Sequence, residues 1–309
     1  MFDKLPKHVK VVEVGPRDGL QNEAQKVSLE DKVEFVQKLI DSGIQNIEVG
    51  SFVSPKAVPQ MQNSDLLLKE ILNRYPEKNF HFPCLVPNMK GMEDALKCGV
   101  KEIAIFTSTS NTFNQKNINT TIEGSLERAR SVVELAHKEN VKVRAYISTV
   151  FGCPYERVIS VEQVLDLVKK VKSFGPYEIS LGDTIGVATP LQVFEVLSQV
   201  EKEIELSKVA LHFHDTRGMA LTNILVALGM GISTFDSSAG GLGGCPYAKG
   251  ATGNVATEDL CYLLDSLKIS TSVNISGLIQ ASSFILSKIN KETTSKYLKS
   301  ILNSADPRR

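Results

Sequence analysis

Short apolar, β-branched runs recur along the whole chain. Those near 9–14, 46–50, 80–86, 101–107, 142–149, 177–182, 209–214 and 234–238 predict eight strands, spaced roughly 20–40 residues apart. Between them the apolar residues change period. In 28–42, Val33, Val36, Leu39 and Ile40 fall on one helical face, and Ser28 is placed to cap its start. Val164, Leu167, Val168 and Val171 repeat the pattern in 160–174. In 189–204, Pro190 sits in the first turn, where its missing N–H costs nothing. Alternating strand and helix implies parallel strands, because each crossover must return to the same end of the sheet.

Eight such units close most simply into a (β/α)8 TIM barrel, an α/β fold. The even strand count and the lack of a Gly-x-Gly-x-x-Gly turn after the first strand favour the barrel over an open doubly wound sheet. The pattern predicts one catalytic domain over 1–309, with the barrel at about 8–272 and an amphipathic helical extension at about 273–305 carrying Leu278, Ile279, Phe284, Ile285 and Ile289. Two long βα loops belong to the C-terminal mouth, where barrel active sites form: a polar one at 108–120 and a glycine-rich one at 239–254. Both read as lids.

Composition narrows the class. A 309-residue chain that is 42% hydrophobic can fill a barrel core. Its 35 basic residues balance 35 acidic ones, which argues against a general nucleic-acid or membrane-surface binder and leaves room for a local basic patch. Five cysteines (Cys84, Cys98, Cys153, Cys245, Cys261) lack Cys-x-x-Cys spacing and are odd in number, as in a reducing compartment. Residues 1–9 show neither a signal nor a transit pattern, and no apolar run has transmembrane length. The expected location is cytoplasmic, or mitochondrial for a processed form.

Chemistry gathers at predicted strand ends. In His212-Phe213-His214 the side chains alternate, so both imidazoles share one face. Two of only five histidines at a barrel mouth favour a ligand pair over hydrogen-bonded core histidines. The first strand ends in Arg17-Asp18-Gly19. Strands 1 and 7 of a closed barrel flank strand 8, so Asp18 can reach the ion that His212 and His214 hold, while Arg17 offers a fork to an oxyanion. The competing reading is a surface turn with a local ion pair. Glu48 stands in an apolar strand, where a carboxylate must be paired or functional, and Arg17 is the obvious partner. Asp183 ends strand 6, as part of the site or as a cap for the next helix. Cys245 follows four glycines and precedes Pro246, an exposed setting suited to a reactive thiol. Asn254 supplies either an amide oxygen to the ion or a cap to the last barrel helix; Glu258 follows it. One carboxylate, two imidazoles and an amide oxygen suit Mg2+ or Mn2+ ahead of Zn2+ or Fe2+.

Four segments carry a family resemblance: Gly15 to Glu23, Ser51 to Pro55, His212 to Thr216, and Gly240 to Tyr247 with Asn254 to Asp259. Together they resemble the 3-hydroxy-3-methylglutaryl-CoA lyases, within the aspartate–arginine–glutamate barrel metallolyases that also include isopropylmalate and homocitrate synthases. Gly15-Pro16 before Arg17, and Gly244-Cys245-Pro246, separate the lyases from the synthases. The resemblance covers nearly the whole chain. It implies cleavage of the substrate's C2–C3 bond to acetoacetate and acetyl-CoA, with one divalent cation and no redox cofactor. It implies that Asp18, His212, His214 and Asn254 hold the metal, that Arg17 meets the thioester oxygen, and that Cys245 protonates the acetyl-CoA carbanion. Glu48 would orient Arg17, and Asp183 would assist proton relay or the ligand shell. Asp18 or His212 would take the hydroxyl proton, and Gln21 and Glu258 would join Arg17 in binding substrate. Lys26, Lys56 and Lys116 are loop candidates for the CoA phosphates, and the family's usual homodimer is expected. The alternatives are a Claisen-condensing synthase on the same barrel and a non-catalytic metal- or acyl-CoA-binding barrel.

Overall fold

The computed structural model describes residues 5–76, 79–244 and 253–303. Among them, nine parallel strand segments form one sheet: β1 (Lys10–Glu13), β2 (Asn46–Ile47), β3 (Gly50–Ser51), β4 (Cys84–Leu85), β5 (Glu102–Ser108), β6 (Lys142–Ser148), β7 (Glu178–Asp183), β8 (Val209–Phe213) and β9 (Thr234–Ser237). Their order is β2-β1-β9-β8-β7-β6-β5-β4-β3. The two end segments, β2 and β3, are halves of one strand split at Glu48 and Val49. Its backbone bonds alternate between neighbours: Glu48 N–H reaches the Glu13 carbonyl (2.9 Å), while Ile47 and Val49 reach His81 (2.9 Å) and Pro83 (3.1 Å). The sheet therefore closes on itself, and the eight expected strands are the staves of a (β/α)8 barrel. The strand expected at 80–86 is reduced to Cys84–Leu85 plus a bridge at His81, because Pro83 brings no N–H to the ladder.

The helices are α1 (Leu29–Asp41), α2 (Ser64–Arg74), α3 (Met89–Lys97), α4 (Asn111–Ile118), α5 (Ile122–Lys138), α6 (Val161–Lys172), α7 (Pro190–Val200), α8 (Ala220–Gly229), α9 (Thr257–Ser266), α10 (Ile275–Ile289) and α11 (Lys296–Asn303). Ser28 caps α1 by accepting the Asp31 N–H, and Ser160 closes a capping box with Gln163 at α6. The apolar faces read from the sequence are the buried ones: Val33, Val36, Leu39 and Ile40 in α1, and Val164, Leu167, Val168 and Val171 in α6.

One expectation needs correction. The segment 108–120 is not an open loop but carries α4. Ser110 caps that helix through the Phe113 N–H (3.0 Å), and Phe113 and Asn114 are buried. Capping and one buried aromatic outweigh a polar composition there. The C-terminal extension is the helix pair α10 and α11. α10 lies against α1, so closely that a Cβ on Gly277 would sit 3.1 Å from the Ser42 Cα. The chain then returns over the barrel mouth, where Thr293 and Thr294 hydroxyls donate to the Gly240 and Gly241 carbonyls (3.0 and 3.1 Å). Among the described residues, no helix is long and apolar enough to cross a membrane.

Candidate active site

The turn after β1 fixes the first functional pair. Gly15–Gly19 winds as a π-helical turn with Pro16 near its start. A Cβ on Gly19 would lie 2.6 Å from the Ser238 hydroxyl and 2.9 Å from the Leu242 Cβ, so only glycine lets this turn pack against the glycine-rich segment after β9. Asp18 is thereby carried over the mouth. Its Oδ2 lies 3.9 Å from Nε2 of both His212 and His214, and the Asn254 amide donates to it at 2.9 Å. Asp18, His212 and His214 each offer a ligand atom within 4.8 Å of the others. The two imidazoles share a face because they alternate about Phe213, which is buried on the other side.

Electrostatics prepare the cluster. Burial alone would push the Asp18 carboxyl up, but Arg17 and the two imidazoles overcome it and hold the group at about 2, ionised. Burial and the neighbouring His212 bring His214 down to about 4, so its ring is neutral and one ring nitrogen has a free lone pair. For His212 burial pulls downward as well, but the Asp236 hydrogen bond and the Asp18 charge prevail and raise it. Asn254 Oδ1 and His214 Nδ1 are buried without a partner among the described residues. A buried amide oxygen such as Asn254 Oδ1 is costly unless something electropositive meets it. An oxygen-and-nitrogen donor set with a spare amide oxygen fits a hard divalent cation.

Beside the cluster, Arg17 is locked. Its Nε and Nη2 meet Glu48 Oε2 (2.8 and 2.7 Å), and its Nη1 meets Asp18 Oδ1 (2.6 Å). The guanidinium stands over the Tyr146 ring, 5.4 Å from its centroid, and the Tyr146 hydroxyl also donates to Glu48 Oε2 (3.1 Å). Arg17 and Asp18 are therefore not an exposed turn pair.

Behind both groups lies a network that the sequence reading missed. Arg144 is fully buried inside the barrel. It donates to Glu178 (2.7 Å), to the Tyr146 hydroxyl (2.7 Å) and through a fork to Asp236 (2.7 and 3.2 Å). Ser180 donates to Asp236 Oδ2 at 2.9 Å, and His212 Nδ1 lies 3.2 Å from the same oxygen. A barrel interior is ordinarily filled by branched apolar side chains. The signal was present in part: Arg144 and Tyr146 share one face of β6, whose other face is apolar.

Other candidates lie elsewhere. Asp183 turns to its own loop, accepting the Val187 and Ala188 N–H groups (2.9 and 3.0 Å), with burial raising it to about 6. That is the backbone-capping alternative, although Thr189, not Asp183, caps α7. Glu258 is fully buried under the glycine-rich segment, accepting the Gly240 N–H with both oxygens (2.9 and 3.0 Å), and shows no surface to a ligand. Glu13 lies beside it, accepting from Gly15 (2.8 Å), Ala239 (2.9 Å) and the Thr257 hydroxyl (2.6 Å). Gln21 is half-buried just past the π-helical turn, and Lys26, Lys56 and Lys116 are exposed. Cys245 lies outside the described residues; the loop before it ends at Gly244, whose carbonyl accepts from Asn22 at 3.1 Å.

Comparison with known proteins shows which family the chain is similar to. The mitochondrial hydroxymethylglutaryl-CoA lyase of Homo sapiens is 51% identical, covering 94% of this chain and 89% of that protein. A Pseudomonas aeruginosa 3-hydroxy-3-isohexenylglutaryl-CoA/hydroxymethylglutaryl-CoA lyase is 48% identical over 97% of this chain and 99% of its own. The solved HMG-CoA lyase of Acinetobacter baumannii, in complex with coenzyme A and 3-methylmalate, superposes with a TM-score of 0.91 at 36% identity, covering 97% of each chain. With the HMGL-like family profile matching residues 8–285, the chain belongs to the HMGL-like family.

Proposed function

We propose that the protein is a carbon–carbon lyase that cleaves 3-hydroxy-3-methylglutaryl-CoA to acetyl-CoA and acetoacetate. The observation that carries this reading is the convergence of Asp18, His212, His214 and Asn254 beside a guanidinium locked by Glu48. Mg2+ or Mn2+ held by those four residues would supply Lewis acidity, lowering the pKa of the substrate's tertiary hydroxyl.

The chain's own groups account for the rest. The hydroxyl proton has two acceptors in the cluster, Asp18 and His212. As the C2–C3 bond breaks, its electrons move toward the thioester carbonyl, and the preorganised Arg17 stabilises the negative charge on that oxygen. Glu48 and Tyr146 keep Arg17 aimed without reorganisation. The proton that leaves the C3 oxygen is balanced by one delivered to C2, and Cys245 is the donor this reading assigns. No electrons are gained or lost, so no redox cofactor is required. Asp183 shapes the loop beside His214, consistent with an indirect role. Coenzyme A in the Acinetobacter relative supports an acyl-CoA substrate.

The same reading includes a homodimer, a single catalytic domain and a role in leucine breakdown or ketone-body supply. Cys84, Cys98, Cys153 and Cys261 are free and buried, which supports a reducing compartment. The test is product analysis: hydroxymethylglutaryl-CoA with Mg2+ or Mn2+ yields acetoacetate, and chelation stops it. Absence of acetoacetate, with thiol released instead from acetyl-CoA and a 2-oxo acid, would replace the lyase with a condensing synthase.

A further inference from the structure

We propose that Asp236 is a positioning residue that makes His212 a metal ligand, and that Arg144 holds it in place. The inference rests on the cation site proposed above and adds a cause for its geometry. The two imidazoles are not equivalent. Among the described residues His214 has no partner on Nδ1. His212 Nδ1 lies 3.2 Å from Asp236 Oδ2, which leaves its Nε2 facing Asp18. A carboxylate on Nδ1 selects the tautomer whose Nε2 lone pair is free for a cation, fixes the ring plane, and makes that nitrogen more basic.

The strand register builds this contact. His212 and Asp236 are cross-strand partners on β8 and β9, and Arg144 and Glu178 are partners on β6 and β7. Asp236 cannot rotate away, because Arg144 grips both its oxygens and the Ser180 hydroxyl adds a bond to Oδ2. Lys10 and Arg144 together balance the two buried carboxylates, Glu178 and Asp236. The role of Asp236 toward His212 therefore lies in where its Oδ2 is held, as an acceptor facing Nδ1. In Asp236→Asn the amide group can offer Nδ1 a donor, which forces the ring proton onto Nε2 and blocks the lone pair.

The experiment measures Mn2+ binding to the full chain without substrate, by the electron paramagnetic resonance signal of free Mn2+, alongside thermal denaturation. Asp236→Asn is expected to weaken Mn2+ binding by about 10- to 100-fold, the usual effect of losing such a partner. Glu178→Gln, which breaks the other ion pair of Arg144 without touching His212, is expected to leave Mn2+ affinity unchanged even where it lowers the denaturation temperature. A folded Asp236→Asn protein with wild-type affinity overturns the inference, as does equal weakening by Glu178→Gln. Should Asp236→Asn not fold, Asp236→Glu keeps the charge on Arg144 but displaces the oxygen from Nδ1: weakened Mn2+ binding supports the role, and wild-type binding refutes it. A wild-type protein that binds no Mn2+ brings down the cation site itself, a result distinct from intact binding that ignores Asp236.

Discussion

Glu258→Gln is expected to flatten the dependence of stability on pH. Glu258 is wholly buried beneath the glycine-rich segment, and burial, reinforced by the nearby Glu13, raises its carboxyl from 4.5 to about 7 despite the Gly240 N–H it accepts. Below pH 4.5 the group is protonated in both folded and unfolded chains and carries no penalty. Between 4.5 and about 7 the unfolded chain releases the proton while the folded chain keeps it, so stability is lost as pH rises. At 1.36 kcal/mol per pH unit, that interval corresponds to about 3 kcal/mol, an upper figure for a single buried group. The substituted amide would keep an acceptor for the Gly240 N–H and has no charge to desolvate. The chain contains no tryptophan, so urea unfolding is best followed by far-UV circular dichroism across pH 4.5–8. The wild-type curve should fall more steeply than the variant's, the two diverging by up to that amount. Asp18 and the histidines titrate in both proteins and cancel in the difference. Parallel curves would show that Glu258 ionises normally and that its burial has no such consequence. Glu13, likewise raised to about 7 by burial, belongs to the same clasp at the root of the loop.

Two other outcomes follow from the site. Arg17→Gln removes the fork that faces the developing oxyanion and should lower kcat by about 10²–10³-fold in an acetoacetate-formation assay, so unchanged turnover would remove Arg17 from the chemistry. Asp259→Ala removes the carboxylate that supports the start of α11, where it accepts from the Ser295 hydroxyl (2.7 Å), itself the cap on the Leu298 N–H, and from the Lys296 and Tyr297 N–H groups (3.1 and 2.8 Å). A loss of about 1–2 kcal/mol is expected, with faster hydrogen exchange across 296–303, and unaltered exchange there would contradict the capping argument.

The fold was legible in the sequence because two periods alternate along it. Period-2 apolar runs and helical faces need no long-range information, and Val164, Leu167, Val168 and Val171 are buried as their spacing says. Pro83 is a local signal too, and it shortens one stave. The helix at 111–118 was missed because a polar segment carries little hydrophobic period; its stability comes from the Ser110 cap and a buried Phe113.

At the site, the sequence by itself determined the reactive groups and their strand ends: His212 and His214 on one face, Asp18 after β1, Glu48 within an apolar run. Only the tertiary structure decided what those groups touch. Closing the barrel sets β8 beside β9 and so gives His212 the Asp236 carboxylate, and it folds Arg144 inward to bridge Asp236 and Tyr146, from residues up to 92 positions apart. It also turned Asp183 toward its own loop and buried Glu258 below the mouth. The physical reason is that strand periodicity fixes the face a side chain occupies, while hydrogen bonds and charge compensation in a closed, desolvated interior depend on which strand lies next to it.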